Sequence, residues 1–403
     1  MDMIPITEAL KLIDENTPTL PIELVSIDEA LGRILAEEIF ADMDLPPFDR
    51  SQMDGFAVRS VDVASAPVRL RVIGESIAGK GFDGEVKEGE AVKIMTGARV
   101  PIGADAVQKI ELAKTEDEFV EILKSVEPQE NIVLQGEEIK KGTSVFCIGE
   151  QVTERMIPTL ASFGYKQIKV YQRPIVLILS TGSELVEIDK KPMRDEIRNS
   201  NSIMLYSFLK KIGIEAEILP NLPDDKDALA DLIAEKILSD DKQKLLITTG
   251  GVSVGDYDFT KTIFKQMGAR IFFERVFLKP GKPTVFAKLD QSLIFGLPGN
   301  PVSAAVTFYL FVRRALLRMQ GAVNVELRKG FAVVKERLKA ARDRDAVLPV
   351  FVSTDERGRL VVESLKFAGS SNFIAFARSN ALVHIPVKRD LEREEIAQVW
   401  FLD

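Results

Sequence analysis

The clearest rhythm of apolar and polar positions begins at Pro174. Ile175 to Leu179 is continuously apolar, which predicts a strand buried on both faces of a parallel sheet. Ser202 to Ile212 carries apolar residues at Leu205, Phe208, Leu209 and Ile212, the spacing of one helix face, and Gly213 follows as the residue that ends it. IEAEILP then reads as a strand, ALADLIAEKIL as a helix, KLLITT as a strand and FTKTIFKQMG as a helix. ARIFFERVF, VFAKL and SLIFG read as strands, and a long helix runs from about Val302 to Met319. Such β-α alternation predicts an open α/β sheet with helices on both faces. Ligands of such sheets bind beyond the carboxyl ends of the strands.

The flanking regions have other textures. The start, MDMIPITEALKLIDENT, is amphipathic, and a second helix is predicted from Ser26, where Glu29 three residues on completes a capping box, through DEALGRILAEEIFA. From Leu45-Pro46-Pro47 to about Cys147, short alternating runs such as VRLRVIG and EFVEILKSV predict hairpins and a small β-rich unit. TERMIPTLASFG reads as a helix that packs back on the first segment, which makes the β-rich unit an insertion. After Gly321, FAVVKERL, VLPVFVS, RLVVESL and ALVHIPV are alternating or β-branched and predict a small β domain. The expected regions are 1–44 with 150–172, 45–149, 173–322 and 323–403.

Composition narrows the chemistry. The 403 residues suggest two to four domains at roughly 150 residues each. Lys and Arg number 53 against 61 Asp and Glu, a net charge of −8, which argues against a nucleic-acid binder with a global positive field. The chain has one histidine, His384, and one cysteine, Cys147. A structural zinc site and an intrachain disulfide are therefore excluded. A single cysteine fits a reducing cytoplasm. The acidic start has no basic n-region, and the most apolar stretch, Ala304 to Val312, is too short to span a bilayer, so no membrane partner is expected. His384 in ALVHIPV reads as a strand side chain, and Cys147 as a small buried hydrophobe.

Three Gly-rich junctions close predicted strands. They are LSTGSEL with Ser180, Thr181, Gly182 and Glu184; TTGGVSVGDYD with Gly250, Gly251 and Ser253; and GLPGNPVSAA with Pro298, Gly299 and Asn300 at the start of the long helix. Glycines there let backbone amides approach an anion, and a helix N-terminus adds partial positive charge. LKPGKP adds Lys279 and Lys282 as a cationic clamp. Any one loop is explained by a tight turn; three with paired lysines indicate a phosphorylated ligand. Neither a Walker A loop nor a G-x-G-x-x-G fingerprint is present. Glu184, Asp224, Asp225, Asp256 and Asp258 crowd the same edge, where carboxylates beside phosphate hold a hard cation such as Mg²⁺. For Asp224-Asp225, helix capping alone is a fair explanation. Asp54 before Gly55, and Thr96 before Gly97, are each explained equally by a turn.

Six motifs then occur in a familiar order: PPFDRSQMDGFAV, KIMTGARVPIGADAV, LSTGSEL, TTGGVSVGDYDFTK, KPGKP and GLPGNPVSAAVTF. With them nearly the whole chain resembles the molybdopterin molybdenumtransferases, the MoeA family, whose eukaryotic relative is the E domain of gephyrin. The resemblance implies a helical connector, an inserted β-rich domain, a molybdopterin-binding type α/β domain and a C-terminal β barrel. It implies an elongated homodimer with a cleft shared between subunits. It implies insertion of molybdate at the dithiolene of adenylylated molybdopterin with release of AMP, dependent on Mg²⁺. Transient contact with the molybdopterin adenylyltransferase and with apo-molybdoenzymes follows from the same resemblance.

Matched motif by motif, the resemblance implies catalytic roles for Asp54, Thr96, Glu184, Asp258 and Lys279. It implies substrate binding by Ser180, Thr181, Gly182, Asp224, Gly250, Gly251, Ser253, Lys282, Pro298, Gly299, Asn300 and Ser370, the last in a Gly369-Ser370 pair. It implies metal ligation by Glu184, Asp224 and Asp258. The chain departs from the family pattern at Arg50-Ser51-Gln52, Phe56, Arg275, Asn199 (in place of a usual acid) and Gln108. A non-catalytic scaffold and a related enzyme using tungstate or another pterin are the competing readings.

Overall fold

The computed structural model describes residues 2–222, 225–240, 242–250, 259–365, 369 and 371–402. The chain forms two compact units: Met1–Ala36 with Ile148–Thr153 and Gln167–Asp403, and Glu37–Cys147 with Glu154–Lys166. The smaller unit is thus inserted into the sequence of the larger. The helix Met156–Ser162 falls within the inserted unit, whereas the strand Gln167–Tyr171 falls within the larger one.

In the larger unit a six-stranded sheet orders its strands as Ala216–Ile218, Ile175–Ser180, Lys244–Thr249, Ser292–Leu297, Val285–Leu289 and Arg270–Phe273. Five of the six run in one direction and only Val285–Leu289 is reversed, antiparallel to both its neighbours, so the sheet is mixed. The continuous apolar run is explained by burial on both faces. Val176 and Ile178 enter one core with Leu205 and Leu209 of the helix Ser200–Lys211. Leu177 and Leu179 enter a second core with Leu229 and Ile233 of the helix Lys226–Ile237 and with Ile263 and Phe264 of the helix Phe259–Gln266. Each such fully buried side chain contributes roughly 1.5–3 kcal/mol. Gly213 follows the helix Ser200–Lys211 at φ 75° and donates its N–H to Lys210 O, as a C′ glycine does.

The long C-terminal helix of this region has three parts. It is α-helical over Pro301–Thr307, widens to a π-turn over Phe308–Val312, and returns to α-helix over Arg313–Met319. Pro301 stands in its first turn, where a missing N–H leaves no bond unmade. The N-terminal helix Ile6–Asn16 buries Ala9 and Ile13 in the same core. Its Asp14 carboxylate accepts from Arg314 at 2.7 and 2.6 Å and from Arg318 at 3.1 Å.

The second N-terminal helix does not form. Only a single 3-10 turn, Ile27–Glu29, follows Ser26, and the Ser26 hydroxyl donates to Asp28 rather than capping a helix. Gly32 takes φ 76°, and beyond it Ile34 and Leu35 pair with Gln151 and Val170. Long-range strand pairing overrides the local capping signature.

Five strands close into a barrel at the C-terminal end: Asp345–Thr354, Leu360–Ser364, Lys329–Val334, Ile396–Phe401 and Ala381–Ile385, the last pairing back to the first. His384 lies in one of these strands, stacked on Trp400 and 3.4 Å from the Asp345 carboxylate. The inserted unit carries its own six-stranded sheet, ordered Ala106–Lys109, Gly55–Val58, Glu90–Ile94, Val68–Ser76, Phe119–Ile122 and Ala113–Glu116. Cys147 follows the short strand Ser144–Phe146, which pairs with Ile39–Phe40, and is exposed, not buried.

Candidate functional site

The register of the central strands builds one site. Ser180, Thr249 and Leu297 are opposite one another on three adjacent parallel strands. The chain leaves these strands at Thr181, Gly250 and Pro298, so all three Gly-rich junctions open at one sheet edge. A cavity of about 900 Å³ lies there. Thr181, Glu184, Gly250, Pro298, Gly299 and Asn300 line it, together with Asn199, Asn201, Thr249 and, from the short helix Phe373–Ala377, Phe373.

Gly250 is required where it stands. It takes φ 90°, and a Cβ there would lie 2.2 Å from Thr181 O. Gly299 lies beside it, where a Cβ would make only ordinary contact, 3.7 Å from Gly250 Cα. Gly182 lets the Glu184 carboxylate fold back on the chain, since a Cβ there would meet Glu184 Oε2 at 2.6 Å.

Beneath the cavity the floor is polar but uncharged. Ser180 Oγ contacts Asn199 Oδ1 at 3.2 Å, Ser202 Oγ at 2.8 Å and Thr249 Oγ1 at 2.9 Å. Asn199 Oδ1 accepts from Ser202 N at 3.1 Å and so caps the helix Ser200–Lys211. Asn199 Nδ2 donates to Ser202 Oγ and to Asn221 Oδ1. Asn201, in the first turn, donates from Nδ2 to Gly299 O at 2.7 Å. The helix N-terminus and the backbone around Gly250 and Gly299 thus converge on the cavity, a setting that suits an anion. In the sequence Asn199 stands out only as a departure; the RNSN stretch before a helix is a capping signal, but the network around it joins residues of two strands and a helix that are far apart in the chain.

Lys279 ends the two-residue strand Leu278–Lys279, which pairs with the barrel, and Lys282 lies in the turn that follows. Gly281 between them takes φ 119°, and a Cβ there would meet the Thr307 methyl at 2.7 Å. Lys279 is exposed and Lys282 half-buried. Pro283 lines the cavity, whereas the two lysines are not among its lining residues. Asp225 caps the helix Lys226–Ile237, accepting from Asp227 N and Ala228 N. Asp224, Gly251, Ser253, Asp256, Asp258 and Ser370 lie outside the described residues.

Asp54 and Thr96 belong to the inserted unit. The structure brings these two together: Asp54 Oδ1 accepts from Thr96 N and from Thr96 Oγ1, each at 2.7 Å. The backbone bond first, and then the hydroxyl bond, hold the exposed Asp54 carboxyl below its ordinary pKa. Gly55 begins a buried strand so close to its neighbour that a Cβ would lie 1.9 Å from Gln108 O. Asp54 is therefore aimed by strand packing as well as by a turn. Gln108 is itself buried and uses both ends of its amide, donating to Lys124 O and accepting from Lys109 N. Arg50 pairs with Glu138 at 3.1 Å.

A mixed α/β sheet with a cavity at its strand ends, a closed five-stranded barrel and an inserted β unit define a multidomain α/β protein with a ligand-sized cavity. The description "MoeA N-terminal region (domain I and II)" matches residues 4–164, "Probable molybdopterin binding domain" 177–318, and "MoeA C-terminal region (domain IV)" 332–402. A molybdopterin molybdenumtransferase of Staphylococcus aureus is 38% identical over 391 residues, covering 95% of this chain and 91% of that one. One from Haemophilus influenzae is 37% identical over 381 residues, covering 94% and 93%. The crystal structure of a molybdopterin biosynthesis moeA protein from Pyrococcus horikoshii superposes with TM-score 0.85 at 32% identity, covering 99% and 100%. The chain belongs to the MoeA family and is a transferase with a role in molybdenum cofactor biosynthesis.

Proposed function

We propose that this chain inserts molybdate into the dithiolene of adenylylated molybdopterin with release of AMP, as a Mg²⁺-dependent step. The observation that carries the reading is the cavity at the ends of three registered strands, where backbone around Gly250 and Gly299 and a helix N-terminus meet. That arrangement fits a phosphate-bearing ligand. Thr181, Gly182, Gly250, Pro298, Gly299 and Asn300 hold the substrate, over the floor that Ser180 braces. Asp224, Gly251, Ser253 and Ser370 complete the set from the sequence. Lys279 and Lys282 act as point charges toward phosphate or molybdate oxygens.

The acid set is all oxygen, which suits a hard cation. Glu184 is its described member, and Asp224 and Asp258 would complete the ligands; among the described residues no three His, Cys, Asp or Glu side chains gather into a metal-binding group. Neutralising the charge of the phosphoanhydride is the chemistry that Mg²⁺ supplies when bound. Asp54, kept ionised by Thr96, is the exposed carboxylate available to accept a proton or orient a nucleophile. The family's homodimer, with transient hand-over from an adenylyltransferase and to apo-molybdoenzymes, belongs to the same reading, as does a cytoplasmic setting. No described helix is long and apolar enough to cross a membrane.

The test is AMP release from adenylylated molybdopterin by purified protein, with and without molybdate and Mg²⁺. Release that needs both is expected. No release under any condition overturns the reading, and equal or faster turnover with tungstate moves it to a tungsten-inserting enzyme.

A further inference from the structure

Among the described residues on the wall of the α/β cavity, Arg198 is the one that carries a positive charge. Lys279 and Lys282, the pair that the motifs single out, are not on that wall. Two acids are, Glu184 and Glu196. Without Arg198 the described side chains of the wall would therefore repel an anion. Arg198 is exposed, so a ligand in the cavity can reach it.

Its position is held from both sides. Arg198 ends the two-residue strand Ile197–Arg198, which pairs in parallel with Leu185–Val186. Asn199 N donates to Val186 O at 2.9 Å and fixes the backbone just beyond it. Arg198 Nε donates to Lys190 O, also at 2.9 Å, which ties the guanidinium to the neighbouring loop. The two terminal nitrogens bring four further N–H groups in a planar fork, the shape that meets two oxygens of one phosphate at once.

The setting is unfavourable without an anion. Asn199 caps the helix Ser200–Lys211, so Arg198 stands one residue ahead of a helix N-terminus. That end carries partial positive charge and disfavours a cation beside it. An anion between the two is attracted by both. Ser200 and Asn201 of the first helical turn lie on the same wall. The cavity, at about 900 Å³ and with apolar wall at Leu185, Ile188 and Ile197, fits an extended organic ligand rather than a bare tetrahedral oxyanion. The anion at Arg198 is thus a phosphate of that ligand, not molybdate.

We propose that Arg198 is a substrate-binding residue whose two terminal nitrogens grip a phosphate of adenylylated molybdopterin beside the N-terminus of the helix Ser200–Lys211. This assignment rests on the proposed function of the cavity and adds the side chain that neutralises the ligand there.

Steady-state AMP release separates the two anions, since adenylylated molybdopterin and molybdate can each be varied with the other saturating. In Arg198→Gln the KM for adenylylated molybdopterin is expected to rise about 10- to 100-fold, the size of a lost charge-assisted contact. The KM for molybdate and kcat should stay within about twofold of wild type, as for a contact made equally in ground and transition states. Arg198→Lys keeps the charge but not the fork and should recover part of the loss. A merely structural role would neither spare one substrate nor be rescued by charge. An unchanged KM for adenylylated molybdopterin in Arg198→Gln overturns the proposal and leaves the proposed function standing. So does a rise confined to molybdate, which would put that oxyanion at Arg198 instead. No AMP release by wild type overturns the proposed function, and the proposal with it. Arg198→Met replaces the glutamine variant, with the same outcomes, if the latter does not fold.

Discussion

The Asp54–Thr96 pair and the floor of the α/β cavity are both polar, but they handle charge in opposite ways. Asp54 is an exposed carboxylate held ionised by two bonds from one residue. The floor formed by Ser180, Asn199, Ser202 and Thr249 is buried and carries no charge. Burying a carboxylate costs several kcal/mol unless it is well paired, whereas hydroxyls and amides can satisfy each other. The chain thus keeps its ionised group where water screens it and builds the rigid surface from neutral groups. In the proposed reaction the first region does chemistry and the second sets shape and recognition.

The largest effect is expected at Asp54. Asp54→Asn retains the side-chain oxygen that accepts from Thr96 but removes the charge, and AMP release should drop by roughly 10²–10⁴-fold, the usual range for a lost acid-base group. Thermal unfolding of this variant should match wild type, because the residue is exposed. Single-turnover AMP assays and a melting curve check both halves. Asn199→Asp should blur the contrast by placing a charge in the floor. It loses the two donations from Nδ2, to Ser202 Oγ and Asn221 Oδ1. A destabilisation of about 2–4 kcal/mol is expected. Burial would raise the new carboxyl's folded pKa, so the loss should grow as pH rises past the ordinary Asp value and shrink in acid. Melting at pH 5 and pH 8 tests the sign.

The smallest effect is expected at Thr96→Val. It keeps the backbone bond, the larger cause of the lowered Asp54 pKa, and removes the hydroxyl bond. The Asp54 pKa should move part of the way back up, so the acid limb of the rate profile shifts to higher pH by less than one unit. An unchanged limb would mean that Asp54 is not the titrating group.

The α/β region was legible because its signals are local and periodic. Ile175 to Leu179, the helix face Leu205–Ile212 and the glycine at 213 all appear as read. The failures come from distance. The capping box at Ser26 is locally correct, yet Leu35 pairs with Val170, far along the chain, and no helix follows. Ile396–Phe401 completes the barrel without a distinguishing local signal, since closure is a property of five strands together. The π-turn at Phe308–Val312 left no mark in the apolar spacing. The motifs pointed to Thr181 and Gly250, and the structure sets both at the cavity. The bond from the Asn201 amide to Gly299 O has no local signal in the sequence, because it joins residues 98 apart in the chain.

The division between chemistry and recognition is tested most directly by kcat and KM for adenylylated molybdopterin in Asp54→Asn and Thr181→Val, beside wild type. The account predicts a fall in kcat with KM little changed for Asp54→Asn, and a rise in KM with kcat little changed for Thr181→Val. The reverse pattern, or the same parameter moving in both variants, would contradict it.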